Sequence, residues 1–145
     1  MLDNLKAATF EVLETMFFLF PESLEEGDAF FRGPGFKAWV PIQGPKNFRV
    51  GMTVSQRLAR EMAANFLGVA PEDLSLDQVE DAIREGTNML AGNFLAREKV
   101  PGAFHLATLQ SLRLSLDPKE WRPAPNHLLF AVDDQGLEVF LERGL

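Results

Sequence analysis

Two polar residues spaced three apart, Glu85 and Asn88, are the side chains of this sequence best suited to chemistry. At about 100° per residue, a helix through this segment would bring Asp81, Glu85, Asn88 and Gly92 within about one-sixth of its circumference. A carboxylate can pair with a cation, and a carboxamide can both accept and donate hydrogen bonds. Because small or flexible residues flank this polar face, it is suited to approach another macromolecule closely.

The helix that would carry the polar face is predicted from about Leu76 to Glu98. Ser75-Leu76-Asp77-Gln78 fits the capping box, in which Ser and Gln side chains satisfy free amides of the first helical turn. Gly86 and Gly92 each cost such a helix about 1 kcal/mol relative to alanine, which indicates a packing or approach requirement. The apolar stripe predicted on the opposite, buried side consists of Leu76, Val79, Ile83, Leu90 and Phe94.

The rest of the sequence predicts further helices and strands. An apolar stripe predicts a first helix over about the first twenty residues, stopped by Pro21. A second helix is expected from Ser55 to about Leu67, ended by Gly68. Strand-forming residues predict a hairpin and then three more strands. The five strands are expected at residues 36–43, 46–54, about 105–115, 128–133 and 137–141.

Glycine and proline mark the expected turns. Gly33-Pro34-Gly35 predicts a turn, Gly44-Pro45 separates the hairpin strands, and Asp134-Gln135-Gly136 predicts the last turn. Pro41 would place its strand at a sheet edge or mark a bulge. Short turns imply antiparallel pairing, so the sequence predicts an α+β fold with an antiparallel sheet packed against helices.

Size and composition limit the possible classes of protein. The 145 residues suit one domain, residues 1–145, that is large enough to bury a core. A net charge of −7 works against nucleic-acid binding, and the absence of cysteine excludes disulfides and thiolate metal sites. No apolar run approaches the roughly 20 residues that span a bilayer, and the N-terminus lacks signal-peptide features. We therefore expect a soluble, cytoplasmic protein with no membrane or nucleic-acid partner.

Common catalytic arrangements are missing from the sequence. The two histidines, His105 and His127, are too few for a metal site without another converging ligand, and structural roles suit them better. No phosphate-binding loop and no dinucleotide fingerprint occurs, and no serine stands in a recognisable triad pattern. The pair Glu85 and Asn88 is therefore the main candidate, although Glu and Asn are also common on ordinary solvated helix faces.

The surroundings of this pair resemble the signature of the CheC/CheX chemotaxis phosphatase family. Asp81-x-x-x-Glu85-x-x-Asn88, followed by Met89-Leu90-Ala91-Gly92-Asn93, is similar to the family pattern of Asp or Ser, Glu and Asn before an apolar pair and Ala-Gly. The segment 7–16 resembles the opening helix of CheX-like proteins. CheC-type members carry a second Glu-x-x-Asn in that helix, where this chain has Glu11-x-x-Glu14. This difference favours the CheX-like branch with one central site in a pseudo-symmetric domain. Family members often have a strand proline about 23 residues after the Asn, where this chain has Ser111, or Ala107 if the connecting loop is shorter.

The resemblance implies a phosphatase that acts on the aspartyl phosphate of a response-regulator receiver domain (CheY-like) in two-component signalling. It implies that Asn88 orients the attacking water and that Glu85 pairs with the receiver's lysine. Asp81, Met89 and Gly92 would contact the partner, although Asp81 also suits an ordinary first-turn carboxylate favoured by the helix dipole. Mg²⁺ would belong to the receiver, so this chain is expected to bind no cofactor or metal.

Two other functions fit the same resemblance. One is a non-catalytic receiver-binding or scaffold module of the same fold, and the other is a structural subunit related to flagellar switch components. The Glu85 and Asn88 pair argues against the second, because a purely structural face does not need it. A homodimer is also expected, since sheet edges need cover and CheX-like relatives form dimers.

Overall fold

The computed structural model describes residues 1–25, 30–99, 102, 104–117 and 119–143. Its helices are α1 (Leu2–Met16), α2 (Gln56–Leu67) and α3 (Leu76–Glu98), with a short 3₁₀ turn at Pro71–Asp73. Its strands are β1 (Glu22–Leu24), β2 (Gly33–Gln43), β3 (Phe48–Ser55), β4 (His105–Leu106), β5 (Gln110–Leu116), β6 (His127–Val132) and β7 (Gln135–Arg143).

The strands form a single antiparallel sheet in the order β1-β6-β7-β3-β2-β4, and β5 pairs with the other part of β2's outer edge. The predicted hairpin is β2 and β3, in register with Val40 opposite Val50. The antiparallel α+β fold predicted from the sequence is therefore confirmed. Among the described helices, none has the length and apolar character required to cross a membrane.

All three helices pack on one face of the sheet. Alternate residues of the central strands point into this core because side chains alternate between the faces of a strand. On β2 these are Phe36, Ala38, Val40 and Ile42, all 1% exposed or less. The predicted apolar stripe of α3 closes the core, since Val79, Ile83, Leu90 and Phe94 are buried and Leu76 packs at its margin.

The first helix ends earlier than the sequence predicts. Helix α1 ends at Met16, four residues before Phe20, and Phe18 adopts a left-handed backbone with φ of 55°. The Leu19 N–H donates to the Leu13 carbonyl at 3.0 Å, which turns the chain at this point. Phe17 and Leu19 are buried although they lie beyond the helix, whereas Phe20, at the predicted end of the helix, is 72% exposed, so apolar spacing alone placed the end too late.

One of the two predictions about β2 is wrong. Gly33-Pro34-Gly35 is not a turn but the start of β2, paired with Leu114 to Leu116 of β5. Gly35 is required for close approach, because an added Cβ would lie 2.7 Å from the Val54 carbonyl oxygen. β2 is not an edge strand, because β3 pairs on one side of it and β4 and β5 pair on the other, but the outer ladder is interrupted beside Pro41, as the bulge alternative expects. On the other side β4 and β5 are interrupted, and only the Ala107 N–H reaches the Pro41 carbonyl, at 2.8 Å.

That interruption also divides the strand predicted at 105–115 into β4 and β5. The last turn is displaced as well: it consists of Asp133 and Asp134, and Gly136 lies inside β7. An added Cβ at Gly136 would lie 2.7 Å from the Phe31 ring. Two of the three glycine-containing segments that the sequence assigned to turns thus lie in strands, where Gly35 and Gly136 permit close packing.

The second face of the sheet carries a smaller apolar cluster and a buried acid. Phe31, Leu116 and Leu129 form the buried centre of the cluster, and Trp121 stacks on Phe31 at 4.5 Å between ring centroids. Glu138, opposite Thr53 in the sheet, is only 2% exposed and accepts the Ala124 N–H at 2.7 Å.

Burial raises the pKa of Glu138 above its ordinary value, and the Ala124 N–H, Thr53, His127 and Lys37 only partly oppose this shift. A carboxyl whose folded-state pKa exceeds its unfolded-state value binds protons more tightly when folded. Its contribution to the free energy of unfolding therefore falls as the pH rises from the unfolded pKa through the folded pKa.

We expect Glu138→Gln, which keeps an acceptor for Ala124 and removes the charge, to flatten this pH dependence. The variant should gain stability relative to wild type as the pH rises above 4.5, the ordinary pKa of a glutamate carboxyl, as measured by urea unfolding over a range of pH values. A stability difference that is constant across this range would contradict the prediction.

Candidate functional site

The capping box predicted at the start of α3 is present and fixes where the helix begins. The Ser75 hydroxyl accepts the Gln78 N–H at 3.2 Å, and the Gln78 side chain accepts the Ser75 N–H at 2.9 Å. The helix ends at Glu98, where Lys99 turns left-handed. This defined start, together with the buried stripe, sets which residues of α3 face outward.

Polar contacts with α1 fix the C-terminal half of α3. Glu11 of α1 accepts a hydrogen bond from Asn93 at 2.8 Å and pairs with Arg97 at 2.5 Å. The Asn93 and Arg97 donors lower the pKa of Glu11. Farther along, Asn4 donates to Glu98 at 2.7 Å. These contacts connect the two antiparallel helices along their length.

On the opposite flank, β5 fixes the N-terminal half of α3. Ser111 of β5 donates to Glu80 at 2.6 Å and accepts from Arg84 at 2.8 Å. Arg113 of the same strand pairs with Glu80 at 2.9 Å and with Asp77 at 2.5 Å. The Ser111 hydroxyl, followed by Arg113, lowers the pKa of Glu80, while partial burial opposes that shift. The helix is thus held on both flanks and its outer face is left free.

That outer face contains every residue predicted to take part in catalysis or to contact the partner. Asp81, Glu85, Asn88 and Gly92 are exposed, and Met89 beside them is half-buried. Within the described part of the chain, neither carboxylate of this face nor the Asn88 carboxamide has a hydrogen bond or an ion pair. The structure therefore brings these residues together as an unpartnered polar surface, which we call the α3 face.

The two glycines of α3 meet different requirements. Gly86 is buried, and an added Cβ would lie 2.8 Å from the ring of Phe17, so its absence lets α1 pack closely on α3. Gly92 lies on the α3 face, and nothing is within 4 Å of the position a Cβ would take. The first glycine thus serves internal packing, while the second leaves open space on the exposed surface.

A concavity adjoins the α3 face on the side of α2. Gln78, Asp81 and Glu85 form its polar wall, and Phe66 and Leu67 form its apolar wall. Phe66 in turn packs against Phe17 with ring centroids 5.4 Å apart. The site therefore combines unpaired carboxylates with apolar surface from a second helix.

Sequence reasoning missed Arg84, Ser111 and the apolar wall of this concavity. Glu80 and Arg84 are four residues apart, which places them on one flank of a helix and would have been a usable feature. Nothing in the local pattern around Phe66 indicates that it borders a surface beside α3. The resemblance points to Ser111 only as the place of a strand proline and does not indicate its hydrogen bonds to α3.

The histidines do not contribute to the α3 face. The exposed His105 ring lies 3.1 Å from the Gln43 side-chain oxygen, and His127 contacts the Ala124 carbonyl through Nδ1. No group of three or more His, Asp or Glu side chains able to hold a metal occurs among the residues that the structure describes.

The fold and the α3 face together define an antiparallel α+β protein that offers a polar helix surface to a partner. A family model described as chemotaxis phosphatase CheX matches residues 36–114, which is more than half of the chain. The chain belongs to the CheX family. No curated protein matches the sequence.

Solved structures similar to this chain include members of the same family. The chemotaxis protein CheX from Vibrio vulnificus is 23% identical, with 97% of this chain and 95% of that chain covered and a TM-score of 0.74. CheX in a CheX–CheY–BeF₃–Mg²⁺ complex from Borrelia burgdorferi is 14% identical, with 97% and 96% covered and a TM-score of 0.67. FliY from Thermotoga maritima is 12% identical, with 97% and 84% covered and a TM-score of 0.62. At these identities the likeness concerns the fold.

Alanine substitutions should distinguish the two glycines. In Gly86→Ala, overpacking against Phe17 costs roughly 1–3 kcal/mol, which exceeds the gain of about 1 kcal/mol in helix propensity. In Gly92→Ala only the gain applies, so stability should rise by up to about 1 kcal/mol. Urea unfolding measures both variants, and a Gly86→Ala protein as stable as Gly92→Ala would contradict the packing role of Gly86.

Proposed function

We propose that this protein dephosphorylates the aspartyl phosphate of a CheY-like response-regulator receiver domain. Family membership supports the general activity, because the matching family is described as a chemotaxis phosphatase. The observation that carries the proposal is the exposed and unpartnered pair Glu85 and Asn88 on a helix held firmly from both flanks. A related CheX has been solved together with CheY, which supports a receiver as the partner.

Asn88 is proposed to orient the attacking water. Phosphoryl transfer requires little covalent help from a protein, so positioning and electrostatic effects provide most of the acceleration. A carboxamide can hold a water by donating and accepting hydrogen bonds, and it adds no negative charge beside the phosphate. Asn88 is exposed and free of competing partners among the described residues, so its side chain is available for this task.

Glu85 is proposed to anchor the receiver by pairing with its lysine. A carboxylate by itself would repel a phosphoryl group, so its presence one turn from Asn88 is best explained by a cation on the partner. Asp81, Met89 and Gly92 are proposed to complete the contact around this pair. Of these, Gly92 leaves open space on the helix surface for close approach.

The proposed reaction is a hydrolysis of the acyl phosphate. The water oxygen forms a new bond to phosphorus as the bond from phosphorus to the aspartate oxygen breaks. Aspartate leaves as a carboxylate, and both protons of the attacking water end on the released inorganic phosphate. Mg²⁺ bound by the receiver would neutralise charge on the phosphoryl oxygens. This chain provides the water-orienting amide and the anchoring carboxylate.

The proposal predicts separate defects for Asn88 and Glu85. With phosphorylated receiver domains from the same genome, wild type should accelerate phosphate release. Asn88→Ala should lower the maximal rate about 100-fold or more with little change in half-saturation, since it removes an interaction that positions the water. Glu85→Ala should raise the half-saturating concentration roughly 30-fold or more, because it leaves the receiver's lysine unpaired. Loss of radiolabelled phosphate from the receiver measures both effects.

Asn93→Ala is the matched control, since Asn93 is on the same helix but is bonded to Glu11 and Arg97. It should keep the wild-type rate. Wild type that binds the receivers without accelerating phosphate release would refute the enzyme and identify a non-catalytic receiver-binding module instead.

A further inference from the structure

Exposed apolar side chains are concentrated at the ends of α1 and α2. The described chain has seven large apolar side chains in the exposed class, and five of them lie in these two places. We call these five residues the apolar rim. Its members are Met16 (37% exposed), Phe18 (65%), Phe20 (72%), Leu67 (48%) and Val69 (44%). Concentrated apolar surface of this kind on a folded chain marks an interaction site.

Internal contacts hold the two parts of the apolar rim together beside α3. The Asn65 side chain of α2 donates to the Phe17 carbonyl at 2.9 Å, which connects the ends of the two helices. The Phe17 ring packs on Phe66 and closely approaches Gly86, the neighbour of Glu85. These contacts hold the ends of α1 and α2, which carry the apolar rim, against α3, and Leu67 lines the same concavity as Asp81 and Glu85.

The segment after α1 exposes two aromatic side chains, and one of them has a strained backbone. Phe17 and Leu19 are buried, whereas Phe18 and Phe20 between and after them are the two most exposed large apolar residues of the described chain. Phe18 also has a φ of 55°, a conformation that is unusual for a bulky residue and that Asn adopts more readily. An exposed, strained Phe18 contributes little to the fold itself, which indicates a use outside the chain.

Charge identifies the occupant of this surface. Leu67 and Phe66 share one concavity with Asp81 and Glu85, and these two carboxylates have no cation partner in the described chain. The complementary surface is a basic side chain with apolar surface next to it. Under the proposed function, a receiver domain presents its lysine to Glu85 at this position.

We propose that the apolar rim is the second half of the receiver-docking surface, where it contacts apolar side chains beside the receiver's lysine. This inference rests on the proposed function. The α3 face provides the chemistry and one ion pair, and the apolar rim provides sequence-tolerant binding area. Since rim contacts are the same before and during the reaction, they lower the half-saturating concentration and leave the maximal rate unchanged.

Substitutions of exposed residues test the inference with little effect on folding. Phe18→Asn suits the left-handed backbone and Leu67→Ser shortens an exposed side chain, so thermal unfolding should confirm that neither variant loses its fold. Leu112→Ser is the matched control, because Leu112 is 40% exposed on β5, where it lies opposite Lys37 of β2.

The probes are the receiver domains from the same genome, loaded with beryllofluoride and Mg²⁺ for titration or phosphorylated for turnover. Phe18→Asn and Leu67→Ser should each raise the dissociation constant roughly tenfold, because each removes one large apolar side chain that binding would bury. Both should reach the wild-type maximal rate at saturation, and Leu112→Ser should match wild type throughout.

The outcomes separate this inference from the proposed function. Turnover by wild type with unchanged half-saturation in the rim variants would overturn the inference and leave the function intact. Rim-dependent binding without turnover would overturn the function and leave the docking surface intact. Sedimentation that shows a dimer dissociated by the rim substitutions, with receiver affinity unchanged, would assign the rim to a second copy of the chain. No binding of wild type to any receiver would overturn both.

Discussion

Burial of one stripe of α3 on the sheet is the constraint on which the rest of the molecule depends. The stripe is at most 1% exposed at Val79, Ile83, Leu90 and Phe94. This burial fixes the rotation of the helix about its own axis. At 3.6 residues per turn, fixing one side of a helix fixes the opposite side as well. The exposed residues of the α3 face, Asp81, Glu85, Asn88 and Gly92, are therefore presented outward by the core, even though none of these four contributes to it.

The polar contacts on the flanks refine the position that burial sets. Exposed ion pairs such as Arg97 with Glu11 contribute little to stability one at a time. Their value here is geometric, because they connect α3 to α1 at one end and to β5 at the other. Ser111 has a particular role, since its hydroxyl serves both Glu80 and Arg84 and a proline at that position would have no hydroxyl to offer. This chain thus holds its helix against β5 by hydrogen bonds from Ser111.

The sequence predicted the parts of the fold that depend on regular periodicity. The bounds of α3, its capping box, the hairpin and the antiparallel α+β class are all confirmed, because apolar spacing and capping residues are local features. The wrong predictions about glycine concern positions where distant parts of the chain meet. Gly33, Gly35 and Gly136 looked like turn residues, yet they lie in strands, and an added Cβ at Gly35 or Gly136 would overlap Leu116 or Phe31. Such a requirement depends on a partner far away in sequence, so it is invisible in a local pattern.

The candidate site shows the same division between local and distant information. Its polar residues follow a helical spacing, so Glu85 and Asn88 could be placed on one face from sequence alone. The concavity beside them could not, because it requires the end of α2 to lie against α3 and the end of α1 to lie against both. Gly86 has a role at this junction. Because it has no side chain, Phe17 can pack against α3, and Phe17 in turn contacts Phe66 of α2 and leads into Phe18. The two glycines of α3 look equivalent in the sequence but have different roles. Gly92 leaves open space on the α3 face, whereas Gly86 allows the ends of α1 and α2 to pack beside that face.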